Sequence, residues 1–196
     1  SAPGKTPRAQ GYRLSIDKDR VLMEGEDEIG LYYAGTTFFQ IMRASYDPTT
    51  NRSVAAVDLE DWPDCPRRIV KMFHPGHWAP TWKYKTPATY DDLIEFTDRY
   101  VIGLKQTHFI PDFSSSVNFK RVPAMRMDAK FFSLEDLRRF ADYCRDHFVE
   151  PGASIELGAH ANWSYLNFHP QLADKDFPRE ADLEHPDHWG VATGMI

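Results

Sequence analysis

The chain has 196 residues, 23 Lys and Arg against 29 Asp and Glu, and a net charge of -6. A hydrophobic fraction of 42% with 14% aromatic residues is enough for a packed core, which excludes a wholly disordered chain. The net acidity argues against a binder of phosphate backbones, and the longest uncharged run, Ile29 to Met42, is shorter than the ~20 residues a membrane-spanning helix needs.

Residues 1–10 are polar and basic and read as an extended N-terminal arm carrying Lys5 and Arg8. No initiator Met precedes Ser1, and no acid appears before Asp17, which matches the trailing edge of a mitochondrial presequence. From Gly11 to Asp17, Tyr12, Leu14 and Ile16 alternate with polar residues and predict a half-buried strand, with Val21 to Glu24 as its partner. Ile29 to Ser45 is apolar on both strand faces and fits a central strand, a helix from Thr37 being the rival. Ser53 to Trp62 alternates and returns antiparallel, and Arg68 to Phe73 is a further β-like run.

Two helices are sharper. Thr89 as N-cap with Asp92 three residues on opens the first, whose apolar face runs from Leu93 to Leu104. Ser133 with Asp136 opens the second, striped by Leu137, Phe140, Cys144 and Phe148 and stopped by Pro151-Gly152. Val117 to Met127 and Ser154 to Phe168 read as strands. The order predicts an α+β fold: a mainly antiparallel sheet, two amphipathic helices packed on one face, and extended polar tails at both ends. The predicted organisation is a single domain over 11–170, followed by an acidic, Pro-containing tail over 171–196.

Chemical motifs are sparse. The chain lacks GxGxxG, the P-loop pattern, the GxSxG elbow, HExxH and CxxC. No cofactor is expected, and no nucleic-acid partner. His74 and His77 share an HxxH spacing, but Pro75-Gly76 makes a turn there, so no metal site is assigned. Aromatic residues among prolines are the unusual feature: Trp78, Trp82 and Tyr84, then Trp163, then Trp189. Trp, Tyr and Arg are enriched at interface cores, so these five residues, with Arg8 and Arg13, are the expected protein contacts.

The function expected on these grounds is a non-catalytic accessory subunit of a larger assembly, bound to other protein subunits. A mitochondrial setting follows if the missing leader is a presequence: a complex of the respiratory-chain or ATP-synthase type, with peripheral contact to its membrane part. The alternatives are a metal-dependent hydrolase or lyase using His74, His77 and His160 or His169, and an acidic toxin-neutralising protein masking a basic target.

Overall fold

A computed structural model of the chain describes residues 8–45, 54, 56–72, 89–113, 132–158, 166 and 169–194. Strands β1 (Tyr12–Ile16), β2 (Val21–Gly25) and β3 (Val57–Asp61) form an antiparallel sheet in the order β2-β1-β3. Asp17 makes the first turn: its carboxylate accepts from the Asp19 and Arg20 amides at 2.8 and 3.0 Å. Tyr12, Leu14 and Ile16 fall on one face and are buried against Tyr33 and Ala34 of helix α1 (Glu28–Ala44).

Helix α1 replaces the expected central strand. Asp27 starts it, one carboxylate oxygen capping the Gly30 amide at 2.7 Å and the other accepting from the Gln10 amide at 2.8 Å. The buried residues Gly30, Tyr33, Ala34 and Thr37 have helical spacing. Exposed Leu31, Phe39 (72%) and Met42 on the outer side fill in the pattern, so the segment looks apolar at every spacing.

The second sheet corrects the expectation of a mainly antiparallel architecture. Strands β4 (Ile69–Met72), β5 (His108–Pro111) and β6 (Glu150–Pro151) are parallel and in sequence order. Between β4 and β5 lies α2 (Tyr90–Phe96), which continues as a π-helix over Thr97–Ile102; between β5 and β6 lies α3 (Leu134–Asp146). Both helices open with the predicted capping boxes, Thr89 with Asp92 and Ser133 with Asp136. Helices returning the chain to parallel neighbours are the β-α-β arrangement, which a list of strands and helices does not separate from an antiparallel one. A single core joins Val70, Met72, Phe109 and Phe113 to Leu93, Val101, Phe140 and Cys144, so both helices cover one sheet face. Burial pushes the Cys144 thiol up to about 12, as suits a cysteine used as a small hydrophobe.

The C-terminal stretch is not an extended tail. A 3-10 turn at Pro170–Leu172, a bridge between Ala173 and Ala181, and helix α4 (His188–Gly194) bury Leu172, Ala181, His188 and Ala192. Of these, Leu172 and Ala181 form one cluster with Leu166, against which Ile155 and Leu157, beyond β6, are packed. The prolines and acids that suggested a tail lie at its turns, where Asp174 and Asp182 accept backbone amides. Among the described residues no helix is long and apolar enough to cross a membrane. The strand expected over Val117–Met127 lies outside the described residues.

Candidate functional site

The parallel sheet has two unlike edges. At its amino edge, the residues leading into β4 and β5 are tied to the antiparallel unit. Arg68 donates to the carbonyls of Lys105 (2.7 Å) and Cys65 (2.8 Å), to Gln10 Oε1 (2.9 Å) and to the Tyr33 hydroxyl (2.9 Å). Lys105 Nζ donates to the Tyr12 hydroxyl at 2.6 Å and lies 3.3 Å from Asp61 Oδ2. Tyr12 in turn donates to Asp61 at 2.8 Å and shares a 2.6 Å hydrogen bond with Thr37. Burial drives the Tyr12 phenol up to about 12 and lowers Lys105. Burial opposes ionisation of Asp61 as well, but its bonds from Tyr12 and Lys105 outweigh that and hold it low.

At the carboxyl edge the chain places acids. Asp112 follows β5 directly and is fully buried. It bridges Ser154 in parallel register; the Phe113 amide donates to Ser154 O at 2.9 Å, and the Ser154 amide to Pro111 O at 3.0 Å. Glu156 lies two residues further, on the same side of an extended chain as Ser154, with one carboxylate oxygen removed from solvent. Phe109 and Phe113 point into the helix core, so Asp112, between them in alternation, takes the opposite face with Ile110. That face is not covered throughout: Ile69 is 56% exposed on it, whereas parallel sheets are ordinarily packed on both faces.

Comparison with known proteins bears on this arrangement. Residues 1–62 match the family model described as glycosyl hydrolase family 20, domain 2. A β-hexosaminidase of Porphyromonas gingivalis is 23% identical over 189 residues, covering 88% of this chain and 23% of that protein. The β-N-acetylhexosaminidase structure from Bacteroides fragilis is similar over 95% of this chain and 39% of its own, with a TM-score of 0.67 and 18% identity. A chitobiase structure from Flavobacterium johnsoniae matches over 97% of this chain and 30% of its own, with a TM-score of 0.67 and 16% identity. The chain therefore spans less than half the length of these relatives.

These findings correct the functional expectation. The likeness is to a domain of glycoside hydrolases, and it overturns the reading of a mitochondrial accessory subunit. The missing motifs spoke only against the common dinucleotide and P-loop enzymes. Acids that only the tertiary fold brings to one end of a sheet leave no compact sequence signature.

The flagged residues are scattered. Arg13 forms a two-pronged pair with Asp58 at 3.1 Å on the open sheet face. The Arg8 guanidinium lies 3.4 Å from the Trp62 ring centre. Trp189 sits on α4, 56% exposed, with its ring against His188. Trp78, Trp82, Tyr84 and Trp163 lie outside the described residues, as do His74, His77 and His160. Among the described residues no three His, Cys, Asp or Glu side chains are grouped to hold a metal ion. The sequence reading missed Asp112 and Glu156. The available signal was an acid immediately after the short run His108-Phe109-Ile110-Pro111, a strand too brief to stand out between a helix and a polar loop.

Proposed function

We propose that this chain takes part in the hydrolysis of terminal β-linked N-acetylhexosamine. It would supply an auxiliary α+β unit and the first strands of an α/β sheet whose carboxyl edge holds the substrate. The observation that carries the reading is that Asp112, just past the end of β5, bridges Ser154, with Glu156 two residues further along at the same end of the sheet. In parallel α/β architectures, and in barrels above all, catalytic residues come from the carboxyl ends of the strands. Breaking a glycosidic bond needs a proton delivered to the leaving oxygen and negative charge near the cationic ring, and buried carboxyl groups supply both. Likeness in fold to β-N-acetylhexosaminidases supports the choice of sugar.

The half-covered sheet face and the sequential strand order are consistent with a sheet that continues beyond three strands. The segments that follow β4 and β6 in sequence carry Trp78, Trp82, Tyr84 and Trp163.

The test is release of 4-nitrophenol from its N-acetyl-β-glucosaminide by the protein carrying this chain. Glu156→Gln and Asp112→Asn should each lower kcat/KM about 100-fold or more, with the far-ultraviolet spectrum unchanged. Retention of full activity in both variants would remove the carboxyl edge from the mechanism.

A further inference from the structure

A cavity of about 580 Å³ lies against the antiparallel sheet, bordered by Arg8, Arg13, Glu24, Glu60 and Trp62. A second, of about 200 Å³, opens at the junction of the two sheets and includes Gln10, Tyr33, Trp62 and Lys105. The two share Tyr12, Asp61 and Trp62 in their linings, so they adjoin at Trp62 and are treated together as one groove.

We propose that this groove is a second, non-catalytic saccharide-binding site, taking an uncharged oligosaccharide of β-linked N-acetylhexosamine. The sugar class rests on the function proposed above; the site itself rests on three observations.

The first is Trp62, which keeps 38% of its surface exposed although it lies between two cavities. Arg8 stacks on one face of this indole, which leaves the other face for the C–H groups of a sugar ring and the N–H for a hydroxyl. The second is the lining. Across the two cavities four cationic side chains (Arg8, Arg13, Arg68, Lys105) meet five carboxylates (Glu24, Glu26, Asp58, Glu60, Asp61). Near-balanced charge with dense donors and acceptors suits a neutral polyhydroxylated ligand, and suits neither a lipid nor a polyanion. The third is backbone strain. Gln10 and Lys105 have φ of 63° and 53°, and both line the junction cavity. Left-handed backbone at non-glycine residues is unfavourable and collects where side chains must be presented in a fixed direction.

The groove is separate from the carboxyl edge. Arg68 and Lys105 lie before β4 and β5, while Asp112 follows β5, and four residues at about 3.3 Å each set the edges roughly 13 Å apart. A ligand there holds a long glycan on the auxiliary unit without touching the reacting bond.

The experiment is an NMR titration of the Trp62 indole N–H, assigned with Trp62→Phe, using N,N′,N″-triacetylchitotriose. Hydrolysis of the 4-nitrophenyl monosaccharide is measured in parallel. The expected result is a saturable shift at millimolar ligand, and at least a tenfold weaker Kd in Trp62→Ala. Monosaccharide hydrolysis should stay unchanged. Glu24→Gln, an exposed change that spares the core, should weaken binding in the same direction. An unmoved Trp62 signal in an active protein overturns the inference and leaves the proposed activity standing. A moving signal in a protein without hydrolytic activity supports the groove and rejects that activity. Equal affinity in wild type and Trp62→Ala also overturns the site.

Discussion

Tyr12 illustrates how much one side chain can tie together. Its ring is buried under α1, and its hydroxyl meets Thr37, Asp61 and Lys105, which come from three different elements. Tyr12→Phe removes that hydroxyl and leaves partly buried polar groups short of a partner, so unfolding free energy should fall by about 1–3 kcal/mol in a denaturant titration. Because burial raises the phenol from 10.0 to about 12, the neutral form is favoured in the folded state. The associated stability is fully present below pH 10 and is lost as pH rises through about 12. An ultraviolet titration should find several tyrosines ionising late, since burial raises Tyr32, Tyr33 and Tyr143 as well, and Tyr12→Phe should remove one equivalent from that late phase.

His188 works in the other direction. It is fully buried near the C-terminus, and burial depresses it below its ordinary 6.5, Asp182 pulling the other way and His185 adding to the depression. A histidine held neutral contributes stability above pH 6.5 and loses it as pH falls toward the depressed folded value. Hydrogen exchange of α4 should therefore accelerate on mild acidification while that of α3 does not. His188→Leu should flatten the pH dependence; an α4 that responds to acid equally in the variant would reject this assignment.

At the scale of elements, close backbone approach governs how α1 sits on β1. A Cβ placed on Gly30 would lie 2.1 Å from the Gly11 carbonyl oxygen, and one on Gly25 would lie 2.3 Å from the Leu31 amide nitrogen. Neither contact is with a flexible side chain, so neither can yield cheaply. Gly30→Ala should destabilise the antiparallel unit by about 3 kcal/mol, read as a lowered denaturation midpoint, although alanine is the better helix former. The outer face of α1 tolerates change: a Cβ on Gly35 meets nothing within 4 Å, and Gly35→Ala should be neutral or stabilising.

The crossover helices end alike. After the π-helix, the Lys105 and Gln106 amides return to Ile102 and Val101; after α3, the Phe148 and Val149 amides return to Arg145 and Cys144. Both are Schellman closures, and each has a non-glycine in the left-handed position, Lys105 at φ 53° and Phe148 at φ 58°. Both side chains then contact the antiparallel unit, Lys105 at Tyr12 and Phe148 at Tyr32, with ring centres 5.4 Å apart in the latter pair. Helix termini thus double as docking contacts, which explains why glycine is not used there.

Across the whole molecule, Arg68 is the principal fastener. It reaches Gln10 and Tyr33 on one side and the Lys105 and Cys65 carbonyls on the other. Arg68→Met keeps a comparable stem and removes every one of these bonds, for an expected loss of about 3 kcal/mol. The variant should unfold in two denaturant steps, one for each core; a single transition at the wild-type midpoint would show that the junction adds nothing to stability.

The sequence by itself determined the local features. The alternation of β1, the capping boxes of α2 and α3 and the stripe through Phe140 and Cys144 depend on contacts within a few residues, so they were readable. It misassigned α1, because a helix apolar on two sides has no single period to detect. Only the tertiary structure decided that β4, β5 and β6 run parallel, since strand direction depends on where a returning helix sets the chain down. Asp112 and Glu156 became a candidate site for the same reason. They are 44 residues apart in the chain and come to the same end of the sheet through the bridge of Asp112 with Ser154, a long-range pairing that no local pattern encodes.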